Sequence, residues 1–206
     1  MLTARFLGPS NFGIINYAAS IVAFFTPIVN LGFTGIMVRE LVKEPDKEGE
    51  ILGTSVASFI ITGILSMIGM AAFVLVANPG EKETFIVCCL YSIILIVDAF
   101  GPLAYWFQAH LLSKYTSITS LIVYFLVAVY KIFLLATHKS VYWFAISNAL
   151  DYLLVGIAQV IIYKKLGGQG LTASMERFKN LFSKGKYYIL SGLMVAVFSQ
   201  TDRILL

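Results

Sequence analysis

Five ionisable side chains, Asp98, Lys131, Asp151, Asp202 and Arg203, interrupt stretches of sequence that are otherwise almost wholly apolar. A charge at the centre of a membrane helix costs about 2.5–3.5 kcal/mol even on insertion scales, so each needs a partner or water. Asp151 lies ten residues into its apolar stretch and Asp98 fourteen into its own. At 1.5 Å per helical residue these are depths of about 15 and 21 Å, beyond the reach of a short carboxylate. Lys131 is six residues from the end of its stretch, where its long stem can also carry the ammonium outward. Three kinds of chemistry suit such residues. Asp98 or Asp151 can pair with Lys131; Asp98, Asp151 or Asp202 can hold a coupling proton or sodium ion; Lys131 or Arg203 can compensate an anionic substrate. Asp202 and Arg203 adjoin and can also neutralise one another.

The surroundings of these charges are set by composition. Hydrophobic residues make up 59% of the 206 and charged residues 13%, and mean hydropathy is +0.86. A soluble domain has about 25% charged residues. Half that proportion cannot cover a water-facing surface, so the chain reads as an integral membrane protein. Disorder is excluded by the same numbers. Cys88 and Cys89 are adjacent within an apolar run and suggest neither a disulfide framework nor a metal site. The excess of 15 Lys and Arg over 11 Asp and Glu reads as a topogenic signal, with no aromatic–basic interleaving to suggest nucleic acid.

About 20 apolar residues cross a bilayer as a helix. Six stretches qualify: 12–33, 51–77, 84–107, 115–136, 141–163 and 187–206. Alternation at period two is absent, which argues against a β-barrel. The expected fold is therefore all-α, a polytopic transmembrane helix bundle. Gly8-Pro9-Ser10-Asn11, Asn78-Pro79-Gly80 and Thr137-His138-Lys139-Ser140 read as short loops. Ten basic residues fall at one set of loops and three at the other. The positive-inside rule then makes loops at about 34–50, 108–114 and 164–186 cytoplasmic. Within the last of these, Leu171, Met175, Phe178 and Phe182 recur at helical spacing beside Arg177 and Lys179, the pattern of a helix lying on the membrane surface. The start lacks the features of a signal peptide. Residues 1–7 read as the tail of an earlier span, and the last residues stop within an apolar run. The expectation is a piece of a larger transporter.

Polar residues line single faces of several spans, since positions three, four and seven apart share a helix face. Asn16, Ser20, Asn30 and Thr34 do so in the first, Ser117, Ser120, Tyr124 and Lys131 in the fourth, and Asn148, Asp151, Tyr152 and Gln159 in the fifth. Faces holding amides together with charges suggest a wet cavity. The Ser/Thr row Thr54, Ser58, Thr62 and Ser66 suggests close helix packing instead. Gly101-Pro102, just after Asp98, predicts a kink.

Several segments resemble the polysaccharide-repeat-unit (O-antigen type) flippases of the multidrug/oligosaccharidyl-lipid/polysaccharide exporter superfamily. They are Ala4-Arg5-Phe6-Leu7-Gly8-Pro9-Ser10-Asn11-Phe12-Gly13, Leu31-Gly32-Phe33, Val38-Arg39-Glu40-Leu41, Tyr105-Trp106-Phe107-Gln108 and Ser199-Gln200-Thr201-Asp202-Arg203-Ile204. They occur in order along almost the whole chain. The resemblance implies a protein about twice this length, in two six-helix lobes. Residues 1–163 would be the first lobe without its first helix, 164–186 a cytoplasmic linker, and 187–206 the first helix of the second lobe. It further implies a cell-membrane flippase that carries undecaprenyl-diphosphate-linked oligosaccharides from the cytoplasmic to the outer leaflet for surface polysaccharide biosynthesis. Cations facing the passage would compensate the diphosphate, with Arg39, Lys131 and Arg203 as candidates. Asn16, Asn30, Tyr124, Asn148 and Gln200 could bond sugar hydroxyls.

Alternating access needs no bond broken, and the sequence offers no nucleophile–base set, phosphate loop or metal spacing. The expectation is a transporter, not an enzyme, without cofactor, whose partners are the lipid-linked oligosaccharide, membrane lipids and a coupling cation, H+ or Na+. A cation-coupled drug or metabolite antiporter on the same fold is the alternative, kept open by Asp98 and Asp151. A membrane-embedded glycan polymerase would want a large outer loop, and every outer loop here is short.

Overall fold

The computed structural model describes the backbone of residues 2–137 and 140–205, and the side chains of residues 8, 10–137 and 140–199. Helix α1 spans Leu2–Val29 and is broken at Gly8, whose φ of 79° and ψ of 162° only glycine adopts readily. The expected Gly-Pro loop is thus a single-residue break. Beyond α1, Leu31 and Gly32 have positive φ, and a 3-10 turn at Phe33–Gly35 leads into the short α2, Met37–Lys43. Another 3-10 turn, Pro45–Lys47, opens α3, Glu48–Ala77. After the turn at Asn78-Pro79-Gly80 come α4, Lys82–Val97, a 3-10 turn at Asp98–Phe100, and α5, Gly101–Ala109. The last three helices are α6, Ser113–Ala136, α7, Val141–Lys165, and α8, Met175–Leu205.

The protein is an all-α polytopic bundle, and no strand occurs among the described residues. Among the described residues, five segments are long and apolar enough to cross a membrane: Ser10–Val29, Pro45–Ala77, Lys82–Ala109, Ser113–Ala136 and Val141–Lys165. They coincide with the first five apolar stretches of the sequence. The sixth stretch lies within α8, which runs unbroken from the expected surface segment through the expected linker boundary. Amphipathic and apolar sequence there share one helix, because no Gly-Pro or Asn-Gly signal separates them.

Helix α4 is the hub, packing against α1, α3 and α7. Helix α6 lies at the margin against α7 and α5, and α8 packs along α1. Leu121, Phe125, Leu126, Ile132 and Phe133 on α6 and Ile61, Leu65 and Ile68 on α3 are exposed. In a chain of this hydropathy such outward faces meet lipid tails. Two close approaches depend on glycine. A Cβ on Gly156 of α7 would lie 2.5 Å from the Phe100 ring, so glycine lets α7 close over the turn at Asp98. A Cβ on Gly32 would collide with the carbonyl oxygen of Gly185, where α8 crosses the end of α1.

The loops expected on the cytoplasmic side gather at one end and are tied to each other. Gln169 Nε2 donates to the Pro45 carbonyl at 2.9 Å, and its Oε1 accepts from the Gly49 amide at 3.0 Å. The Arg177 guanidinium, only 7% exposed, donates to both carboxylate oxygens of Glu44 at 3.1 and 2.8 Å and stands 3.4 Å from Glu50. Lys184 donates to the buried Glu40 at 2.6 Å. Glu48 accepts from the Trp106 indole at 2.7 Å and pairs with His110 at 3.1 Å. Linker and α8 are thereby fastened to the α2–α3 corner.

Gly156→Val should lower the melting temperature in detergent, in line with overpacking penalties of about 1–3 kcal/mol; an unchanged melt would mean that α7 does not need this contact. The hydrogen bonds from Arg177 hold the Glu44 carboxyl below its ordinary 4.5. A depressed carboxylate pKa contributes stability that is present above pH 4.5 and lost as pH falls through the lower folded value. Limited proteolysis within 166–174 should therefore accelerate several-fold in Arg177→Ala at neutral pH. Acidification through that lower folded value should do the same to the wild type.

Candidate functional site

The site begins with a missing donor. Pro102 has no N–H to give the Asp98 carbonyl its helical partner four residues on, so the Gly101 amide bonds that carbonyl instead. The chain tightens into the 3-10 turn Asp98–Phe100 and restarts as α5 with Pro102 in its first turn. The predicted kink is this turn. It carries the Asp98 side chain toward the end of α1, where Asn30 donates it a side-chain hydrogen bond. Asp98 Oδ2 is buried and has no hydrogen-bond partner.

Across the bundle, Asn148 and Asp151 sit three residues apart on one face of α7. Lys131 of α6 donates to Asn148 Oδ1 at 2.9 Å and to Asp151 Oδ2 at 3.1 Å. Asn148 is oriented by its own donation to the Phe144 carbonyl at 3.1 Å. Asp151 is 15% exposed and Lys131 33%. Of the pairings that spacing left open, the structure contains Lys131 with Asp151. The ammonium does not reach outward along its stem; it turns toward α7 and neutralises the carboxylate there.

Between these groups lies open space. A cavity of about 490 Å3 is bounded by α1, α4, α6 and α7, with Thr26, Asn30, Tyr91, Asp98, Asn148 and Asp151 among its walls. A second, of about 250 Å3, extends along α5, α6 and α7 past Thr116, Ser120 and Gln159. Asp98, Tyr124, Asp151 and Tyr152 border both. The two form adjoining polar recesses inside an apolar bundle. The larger falls within the size range of small-ligand sites, about 300–1,000 Å3.

Five residues expected at a site, Asn30, Asp98, Tyr124, Asn148 and Asp151, line the larger cavity, and Lys131 is joined to it through its two bonds. Asn16 is half-buried on α1 and lines neither cavity. Arg39 also stands apart, its side chain 71% exposed on α2 and 3.6 Å from Glu40. The side chains of Gln200, Asp202 and Arg203 lie outside the described residues. In the Ser/Thr row of α3, Ser58 donates to the Thr54 carbonyl at 2.7 Å, and Thr62 donates across to the Val29 carbonyl of α1 at 2.8 Å.

Three polar wall residues were not singled out from sequence, the first being Thr26, four residues before Asn30. Tyr91 precedes Asp98 by seven residues, two turns along the same face of α4. Thr116 lies four and eight residues before Ser120 and Tyr124, a clean period of four that the neighbouring Ser117 obscured. Thr116 Oγ1, like Asp98 Oδ2, is buried without a partner.

Lys131→Ala and Asp151→Asn should each destabilise the bundle, and the double variant should lose less than the sum. A thermal-melt cycle should give a coupling of about 0.5–2 kcal/mol, in the range of interhelical polar contacts in membranes. Simple additivity would mean that the pair contributes nothing to holding α6.

A family model described as polysaccharide biosynthesis protein matches residues 1–206, the whole sequence. No curated protein and no solved structure matches the chain. A multi-pass helical bundle with a polar interior, matched end to end by that model, belongs to the polysaccharide biosynthesis protein family.

Proposed function

We propose that this chain forms one wall of a membrane passage through which a lipid-linked oligosaccharide is turned over, from the cytoplasmic to the outer leaflet of the cell membrane, by alternating access. The observation that carries this is the pair of polar recesses, of about 490 and 250 Å3, inside helices whose outer faces are apolar. Membership of the polysaccharide biosynthesis family supports a glycan cargo. A sugar chain and a diphosphate cannot enter hydrocarbon unaided, because each unsatisfied polar group there costs several kcal/mol. Hydroxyls, amides and carboxylates along the recesses substitute for the water such a cargo loses. The lipid tail can remain among the bilayer chains, outside the passage.

On this reading no bond is made or broken, and the protein is a transporter that needs no cofactor. Residues 1–163 act as part of one lobe and α8 carries the chain toward a second. The basic ends at about 34–50, 108–114 and 164–186 face the cytoplasm. Asn30, Tyr124 and Asn148 contact the cargo. Lys131 pairs with Asp151 rather than standing free for a phosphate. Arg203 and Gln200 belong to the same passage.

A second reading, cation-coupled exchange of a drug or metabolite, is favoured by one observation: Asp98 has no cationic partner among the described residues. It predicts that transport collapses with the sodium or proton gradient and is indifferent to the glycan.

The test is leaflet transfer of a fluorescent undecaprenyl-diphosphate-linked glycan by the full chain in vesicles. Tyr124→Ala should reduce transfer at least about tenfold, equivalent to 1.4 kcal/mol lost, while leaving membrane insertion intact. Transfer no faster than in empty vesicles would overturn the proposal.

A further inference from the structure

Asp98 and Thr116 both line the 250 Å3 recess, and each has one side-chain oxygen, Oδ2 and Oγ1, that is closed off from solvent without a hydrogen-bond partner. Buried polar atoms are almost always bonded, so two orphans in one pocket mark a ligand's place. Their chemistry restricts the ligand. A carboxylate oxygen only accepts, whereas a threonine hydroxyl donates and accepts. Neighbouring hydroxyls on one molecule satisfy both, donating to Asp98 and accepting from Thr116.

The charge of the walls points the same way. Asp98 and Asp151 border both recesses, and Lys131 is the one cation bonded to this wall among the described residues. Two carboxylates against one ammonium leave an excess negative charge, which repels a phosphate and tolerates a neutral glycan. Arg39, the other candidate cation with a described side chain, lies exposed on α2. Tyr124 and Tyr152 flank the two carboxylates. Each offers an apolar ring face to sugar C–H groups and a hydroxyl at its tip.

We infer that this wall reads the sugar, not the diphosphate: Asp98 and Thr116 form a hydroxyl-recognising subsite for the glycan. This rests on the transport of a lipid-linked glycan proposed above. The cargo then lies with its sugars against α5, α6 and α7 and its diphosphate directed away from them. Thr116 and Asp98 act as specificity determinants.

Two lipids separate the possibilities: undecaprenyl diphosphate, and the same lipid bearing one N-acetylhexosamine. Binding of each to the full chain in nanodiscs should favour the sugar-bearing lipid by about thirtyfold or more, as expected for two added hydrogen bonds of which one is charged. Asp98→Asn and Thr116→Val should each bring that ratio toward one. They lie on different elements, so misfolding of one leaves the other informative. Equal binding of the two lipids by the wild type would overturn the subsite and leave transport standing. Binding of neither would overturn transport as well. Sodium-dependent stabilisation that disappears in Asp98→Asn, with the sugar preference intact, would give the pocket to a cation and overturn the subsite.

Discussion

The structure is organised by the penalty for leaving charge in hydrocarbon. Lys131 and Asp151 each lie where a lone charge would be strongly disfavoured. Joined at 3.1 Å, they become tolerable and at the same time fix the register of α6 on α7. Helix α6 has few other neighbours, and most of its surface faces outward. The ion pair is therefore also what defines one side of the recess. Asp98 meets the same penalty differently. It has the Asn30 amide on one side, and its Oδ2 is buried without a partner.

The charged end is held by buried ion pairs and hydrogen bonds. Glu40, Glu44, Glu48 and Glu50 fall within one corner, and each is met by a donor from a distant segment. Arg177 bonds Glu44 through two nitrogens, the geometry that makes arginine better than lysine at such joints. These bonds join residues 169–184 to residues 40–50.

Hydrophobic run length made the spans legible, because lipid thickness dictates it directly. The boundaries of α3, α6 and α7 follow from Ala77, Ala136 and Val141 standing beside polar turns. Gly101-Pro102 announced the interruption next to Asp98, since proline acts locally. Partner choice was not legible. Whether Lys131 would meet Asp98 or Asp151 depends on how α6 and α7 lie side by side, and single-helix periodicity carries no such information. Asn30 was placed on a polar face, yet its bond to Asp98 joins residues 68 positions apart. Arg177 looked like the wet side of a surface helix and is buried instead, because Glu44 and Glu50 come to it from α3's approach.

Helix α8 joins these two regimes in one rod. Its 31 residues extend about 46 Å at 1.5 Å each. The rod is gripped near its beginning by Glu44 and Glu40, and it rests on the Gly32–Gly185 crossing as on a fulcrum. A tilt of 10° about that crossing would sweep the far tip, Leu205, about 30 Å away at 1.5 Å per residue, through about 5 Å. Small displacements at the carboxylate corner are thus magnified into the membrane interior by leverage alone.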